Sequence, residues 1–309
     1  MDVKFKQKFV ERYERLLGDE LQVFLETSLK PLTHSIRINT LKITVQKLIE
    51  RLEEKGWKFR KVPWCDYGFW VVEPRYELGN TLEHQLGYFY VQEAASMIPP
   101  LALKPKPHEF VLDLCASPGS KTTQIAQMMN NKGIIVANDV GGRTKALVAN
   151  LQRCGVVNTV VTNMDGRFFS QTVKQRFDKL LVDAPCSGTG AIRKNLDIIK
   201  MWNPKMVKGL SRLQKSLILS GFDCLKEGGV LVYSTCTLEP EENEEVVNYL
   251  LNKRENARIV KIRIKNLKYR KGLVEWNEKK FNEEVKECIR IYPQDNDTEG
   301  FFIAKIRKP

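Results

Sequence analysis

From residue 110 to the end of the chain, short apolar runs alternate with longer stretches of helical periodicity, and this alternation narrows the fold more than any other feature. The strand-like runs fall at 110–114, 134–138, 159–162, 179–182, 230–233, 288–292 and 301–305, and the helical stretches at 120–130, 143–154, 205–226 and 241–252. Strands separated by helices do not pair as hairpins. They form a parallel sheet whose two faces are covered by the crossover helices. Only the last two runs lack a long helix between them, so they are expected as an antiparallel edge pair. The expectation is an α/β protein with a Rossmann-like, doubly wound sheet.

The preceding residues read as a smaller α/β unit over 1–88. Residues 35–39 alternate like a strand, 44–55 carry helical periodicity stopped by Gly56, and 57–62 and 69–72 are again strand-like. Arg37, Lys42, Lys58, Arg60 and Lys61 suit this unit to RNA binding, and a scaffold role fits it nearly as well. At 309 residues the chain has room for one large core and such an appendage. A net charge of +13 favours a polyanionic partner, most often nucleic acid, through counterion release. A charge-rich surface would account for many ions of both signs, but not for the excess of basic ones.

No apolar run approaches a membrane span and Met1 to Lys8 lacks the apolar stretch of a signal peptide, so a cytoplasmic protein is expected. The seven cysteines form no Cys-x-x-Cys pair and the three histidines fall at no metal-ligand spacing. Free thiols and no metal are expected.

The run 110–114 leads into a loop of small residues, Asp113-Leu114-Cys115-Ala116-Ser117-Pro118-Gly119-Ser120-Lys121-Thr122. At the carboxyl end of a strand in a doubly wound sheet, such a loop lets backbone approach a ligand, and the following helix N-terminus favours an anionic group. Its tail imitates a triphosphate-binding loop, but that motif needs glycine where Cys115 and Ser120 stand. Asp139 follows the next strand, where a carboxylate can take two ribose hydroxyls. Asp165 follows the third and could meet an adenine edge. Each alone is an ordinary strand-terminal aspartate; in register after successive strands, they read better as ligands of a nucleoside.

Two cysteine-bearing turns follow the next two parallel strands, Asp183-Ala184-Pro185-Cys186-Ser187-Gly188 and Ser234-Thr235-Cys236-Thr237. A lone cysteine is more often a small buried hydrophobe than a nucleophile. Two of them at strand ends beside a nucleoside loop point to a thiolate acting next to a bound cofactor. Cys115 reads as packed, with its backbone near the cofactor. Cys65, Cys154, Cys224 and Cys288 read as packing residues, and Pro240, Glu241 and Glu242 as a helix start rather than catalytic groups.

These segments resemble the Sun family of RNA 5-methylcytosine methyltransferases. The match extends to Arg37-Ile38-Asn39-Thr40-Leu41-Lys42, Tyr90-Val91-Gln92-Glu93-Ala94-Ala95-Ser96, Glu241-Glu242-Asn243-Glu244 and Gly300-Phe301-Phe302-Ile303-Ala304-Lys305, and so covers nearly the whole chain. It implies a class I methyltransferase domain over 89–309 and S-adenosylmethionine as methyl donor. The implied cofactor contacts are Cys115, Ala116, Ser117, Pro118, Gly119, Ser120 and Lys121, then Asp139, Arg143, Asp165 and Asp183. The sequence departs from the family where Ser117 and Ser120 replace Ala and Gly, and at Gly141-Gly142, where one residue fewer precedes Arg143. No additional RNA-binding module is visible.

The resemblance also implies roles. Carbon 5 of cytosine is a poor nucleophile until a thiolate adds at carbon 6 and breaks the aromatic conjugation. Cys236 is the implied nucleophile, Asp183 the partner of ring nitrogen 3 and the amino group, and Cys186 the group that assists release. The implied partner is RNA, with tRNA favoured over rRNA. Arg193 and Lys194, and the basic segment 253–280 with Tyr269 and Trp276, are expected to meet RNA or to form a solvated face. Methylation of an exocyclic amine would want an Asn-Pro-Pro-Tyr-like turn where Asp183 to Cys186 stands. A non-catalytic RNA-binding factor would not need both cysteines.

Overall fold

The computed structural model describes residues 4–73 and 78–309. Its main sheet runs in the order Thr159–Asn163, Ile134–Asp139, Phe110–Asp113, Phe177–Asp183, Leu225–Thr235, Phe301–Arg307, Ile289–Ile291, Arg270–Lys271. The first five strands are parallel. Phe301–Arg307 inserts antiparallel beside Leu225–Thr235, and Ile289–Ile291 pairs antiparallel with it. The expected edge pair is therefore present, but the short strand Arg270–Lys271 lies outside it. The order of the parallel strands reverses at Phe110–Asp113, which opens a crevice over the carboxyl ends of the central strands.

The period of two along each strand divides the core between the two faces. Leu112, Leu180, Val182, Leu231 and Tyr233 pack against Leu217, Ile218 and Phe222 of the helix Pro204–Cys224 and against Val246 and Leu250. Their neighbours Val111, Leu181, Val230 and Val232 pack on the other face with Ile98, Leu103, Ile125 and Met129. Helix ends follow local chemistry. The Asn203 side chain caps the helix Pro204–Cys224 by accepting from the Met206 N–H, and Gly155, at φ 71°, ends Thr144–Cys154.

The helix expected from 241 begins instead at Glu244. Residues 240–243 form a turn, because the Glu242 carboxylate is drawn inward to the Ser187 N–H and cannot serve a helix N-terminus.

The smaller sheet is antiparallel, in the order Lys58–Lys61, Gly68–Glu73, Ser35–Ile38, Phe89–Val91, with the helix Val45–Glu53 packed on it through Leu48 and Leu52. Two helices ahead of it, Gln7–Leu17 and Leu21–Leu29, belong to no element expected from the sequence. Their Phe9, Tyr13 and Phe24 pack on Ile198, Trp202 and Leu238 of the larger unit. Among the described residues no helix is long and apolar enough to cross a membrane.

The basic residues of the Arg37–Lys42 segment face the larger unit. Arg37 is fully buried and donates to the Ser120 carbonyl at 2.9 Å and to Thr123 Oγ1 at 2.8 Å. Asn39 donates to the Gly87 and Cys154 carbonyls, and Lys42 to those of Leu86 and Arg153. Arg37 and Lys42 therefore join the two units.

Candidate active site

The two cysteine turns converge because adjacent parallel strands end together. Ala184 N–H donates to the Ser234 carbonyl at 3.0 Å and Gly190 N–H to the Cys236 carbonyl at 3.0 Å. Hydroxyls complete the lacing: Thr237 Oγ1 lies 2.8 Å from Ser187 Oγ and 2.9 Å from Thr189 Oγ1. Within this frame the sulfurs of Cys186 and Cys236 stand 3.3 Å apart, both half-buried. The hydrogen bond to Cys236, with burial second, pushes the Cys186 thiol well above its ordinary range.

Glu242 supports the first turn from beneath, accepting from Ser187 N–H at 3.0 Å and from Gln214 Nε2, which also donates to the Pro185 carbonyl. Burial pushes this carboxyl up to about 7. Glu239 holds the second turn to the N-terminal helices, accepting from Arg12, Tyr13 and Trp202.

Asp183 ends its strand beside these sulfurs. Its Oδ2 accepts from Lys121 Nζ at 2.7 Å and its Oδ1 from Ser234 Oγ at 2.7 Å. Burial by itself would lower the Lys121 ammonium, but the bonded carboxylate outweighs it and holds the group above its ordinary value. Asp113, also at a strand end, is buried, accepts from Thr122 Oγ1 at 2.7 Å, and is pushed up to about 7 by burial.

Two cavities of about 310 Å³ each meet at Cys115, Ser117, Asp183, Ala184 and Cys236. One extends along the ends of the second and third strands, past Asn138, Asp139, Arg143 and Asp165, under Leu213 and Leu217. It has the carboxylates and apolar wall that an adenosine needs. The buried Asp139 receives Ser117 N–H, Val140 N–H and Arg143 Nε, which fixes the loop against the next strand. Asp165 is held by a fork of bonds from Arg167, which lower its pKa.

The other cavity opens toward the smaller sheet and is walled by Tyr90, Glu93, Lys194, Glu299 and Phe301. The small-residue loop divides between the two. Cys115 and Ser117 reach both, Ala116, Pro118, Ser120 and Lys121 reach only the second, and Gly119 reaches neither. Gly119 instead lies against Leu147, at a φ of 103° that a side chain would strain. Lys121 therefore faces Cys236 and Asp183 rather than the nucleoside-shaped cavity. Glu93 and Glu299 carry no role in the sequence reading, although Glu93 lies within a segment that marks the resemblance.

Of the two basic residues after the first turn, Lys194 is the one exposed enough to meet phosphate. Arg193, with its side chain 4% exposed, is spent on Asp297 and on the Lys30, Pro31 and Thr298 carbonyls, whereas Lys194 is 69% exposed. In the segment 253–280, Trp276 is buried beneath Arg12 and Arg15, so it is no stacking platform, while Tyr269 is exposed.

Residues 100–307 match the family of 16S rRNA methyltransferase RsmB/F, and residues 5–94 match the N-terminal domain of 16S rRNA methyltransferase RsmF. The tRNA (cytosine(49)-C(5))-methyltransferase of Pyrococcus abyssi is 48% identical over 99% of this chain and 97% of its own. Ribosomal RNA small subunit methyltransferase F of Vibrio campbellii is 46% identical over 99% of this chain, which spans 64% of that protein's length. A methyltransferase homologue from Pyrococcus horikoshii superposes with a TM-score of 0.87 at 40% identity, covering 99% of this chain and 96% of the other. NSun6 from Pyrococcus horikoshii, solved with SFG, superposes at 0.86 and 27% identity over 99% of both chains.

Proposed function

The chain belongs to the RsmB/F family of RNA methyltransferases, and on that footing we propose that it methylates carbon 5 of cytosine in tRNA through a covalent cysteine adduct. The observation that carries this reading is the cluster of Cys186, Cys236, Asp183 and Lys121 where the two cavities meet.

In this mechanism the Cys236 sulfur adds to carbon 6 of the base, and the ring electrons it displaces make carbon 5 nucleophilic. Cys186, whose thiol is held above its ordinary range, keeps its proton in sulfur–sulfur contact with Cys236 while Cys236 attacks. Asp183, anchored by Lys121 and Ser234, lies within the same cavity to accept from the amino group and, when it carries a proton, to donate it to ring nitrogen 3. After transfer, a base takes the carbon 5 proton, the electrons of that C–H bond re-form the ring double bond, and Cys236 departs with the electrons of its bond to carbon 6 while the Cys186 thiol assists release by hydrogen-bonding the departing sulfur. The target base must leave its stack to reach these sulfurs.

The cofactor is S-adenosylmethionine, held by Cys115, Ser117, Asp139 and Asp165 along the nucleoside-shaped cavity. When bound it supplies an electrophilic methyl group. The unit of the smaller sheet, whose strand Phe89–Val91 carries it past the expected boundary at residue 88, steadies the RNA with Lys58 and Lys61 exposed, and the larger unit carries the chemistry. The reaction is placed in the cytoplasm, which suits seven free cysteines.

The same reaction on rRNA is the second reading, favoured by the near-complete coverage of this chain by the Vibrio small-subunit enzyme. Methyl transfer from labelled S-adenosylmethionine to unmodified tRNA and rRNA, with nucleoside analysis, tests both. Label in 5-methylcytosine of tRNA alone supports the first. Label in rRNA alone selects the second, and label in another nucleoside overturns both.

A further inference from the structure

Cytosine and uracil differ at two positions on the edge opposite the sulfurs' target. Cytosine offers an amine at carbon 4 and a lone pair at nitrogen 3, whereas uracil offers a carbonyl and an N–H. A site that distinguishes them needs an acceptor held against the amine, with no freedom to turn away. Asp183 already accepts from Lys121 and Ser234, one bond on each oxygen, so it can meet ring nitrogen 3 and one amine hydrogen, and the amine's second hydrogen needs another acceptor.

Glu299 has acceptor capacity to spare. It lines the cavity that also holds Cys236, Asp183 and Lys121, its side chain is 6% exposed, and its Oε1 has no hydrogen-bond partner. Lys194 Nζ stands 4.0 Å away, near enough to favour the charge but too far to fill the lone pair. A buried carboxylate oxygen left unpaired costs a fold free energy, so its retention argues for an incoming donor.

The backbone that carries Glu299 is fixed at every point. Its N–H donates to Glu93 Oε1 at 3.1 Å and its carbonyl accepts from Thr298 Oγ1 at 2.9 Å. The next residue, Gly300, donates to the Gly190 carbonyl at 2.8 Å, and a Cβ on Gly190 would stand 2.2 Å from the Gly300 carbonyl oxygen. That contact locks Glu299 to the turn that carries Cys186. Glu93 accepts from Ala95 and Ser96 N–H as well, three bonds in all, and acts as the clamp rather than the reader. Burial raises the Glu299 carboxyl, while Lys194, Lys121 and Arg193 act to keep it ionised.

We propose that Glu299 selects cytosine over uracil by accepting a hydrogen bond from the exocyclic amine of the target base. This rests on the cytosine-methylation reading above. With uracil, the carbonyl at carbon 4 would face Oε1, acceptor against acceptor.

The test uses the full chain and the RNA that the wild type methylates, synthesised with 5-fluorocytidine or 5-fluorouridine at the target. The rate of covalent adduct formation is measured with S-adenosylmethionine present, alongside cofactor affinity and melting temperature. Glu299→Gln is expected to slow the cytosine adduct by about 10²-fold and to shrink the cytosine-to-uracil ratio at least about tenfold, since its amide can donate to the uracil carbonyl. Cofactor affinity should stay within about threefold.

If both adducts slow equally, or the ratio holds while the melting temperature falls, Glu299 is structural and the proposal fails. Should Glu299→Gln not fold, Glu299→Asp keeps the charge and must retain cytosine preference at reduced rate; a lost preference overturns the assignment. A wild type that methylates no cytosine defeats the parent reading first, and this inference with it.

Discussion

The sulfur of Cys186 lies 3.3 Å from that of Cys236, and the Cys186 thiol is held in its protonated form by that contact and by burial. Cys236→Ala is expected to abolish methyl transfer, by roughly 10³-fold or more, and to form no RNA adduct. Cys186→Ala is expected to form the adduct and accumulate it. Denaturing gels of each variant with substrate RNA decide the matter, and an adduct with Cys236→Ala would reverse the roles.

Lys121 faces Asp183 and not the nucleoside-shaped cavity. Lys121→Met should therefore lower turnover on RNA about 10²-fold while leaving S-adenosylmethionine affinity within about threefold. Calorimetric titration of the cofactor beside a methylation assay separates the two. A loss confined to cofactor affinity would return Lys121 to the cofactor.

Arg37 is a buried cation whose partners lie on the helix that follows the small-residue loop. Arg37→Ala should destabilise the protein by about 3 kcal/mol, because it removes a buried donor from the Ser120 carbonyl and from Thr123 Oγ1 and opens a buried gap. Lys58→Ala, on the exposed face of the same sheet, should change stability by less than about 0.5 kcal/mol. Denaturant midpoints for the pair check this.

Glu242 has its carboxyl raised from 4.5 to about 7, by burial above all. Folding therefore favours its protonated form. The stability it contributes is complete below pH 4.5 and is lost as pH rises through 7, for a total of about 3 kcal/mol. Glu242→Gln keeps an acceptor for Ser187 and Gln214 and removes that loss. The variant should gain on wild type between pH 5 and 8 in urea unfolding, with Glu93 and Asp113 still sloping the curve in the same direction.

RNA affinity should fall with added salt, as expected of a chain of net charge +13. Lys194→Ala should reduce the slope of log affinity against log salt by about one. Arg193→Ala should instead lower the melting temperature, since its guanidinium ties Asp297 to the segment before Ser35. Salt titrations of binding distinguish the neighbours.

The alternation of strands and helices carried the fold because it arises from each residue's local period and needs no knowledge of partners. The strand-end aspartates and the two cysteine turns were legible for the same reason. What stayed hidden depends on direction. Nothing in the sequence distinguishes a solvated arginine from one turned inward like Arg37 or Arg193, since burial is decided by a carbonyl or carboxylate far along the chain. Lys121 reads as part of the loop it ends, and only the first turn of the helix carries its ammonium away. Glu299 is one acid among many until Gly190 and Gly300 bring it to Cys236. The helix Gln7–Leu17 shows Phe9, Tyr13 and Leu17 at four-residue spacing, but the surface they cover belongs to another unit.

That covering has a consequence for modularity. The two family matches divide between residues 94 and 100, yet Phe9, Tyr13 and Arg12 reach across the division to Trp202 and to Glu239, three residues beyond Cys236. A gene fragment encoding only the later half would leave Glu239 a buried acid stripped of its cation, and Trp202 bare to water. The turn that carries Cys236 is thus braced from both matched segments, and dividing them would cost the active site its frame.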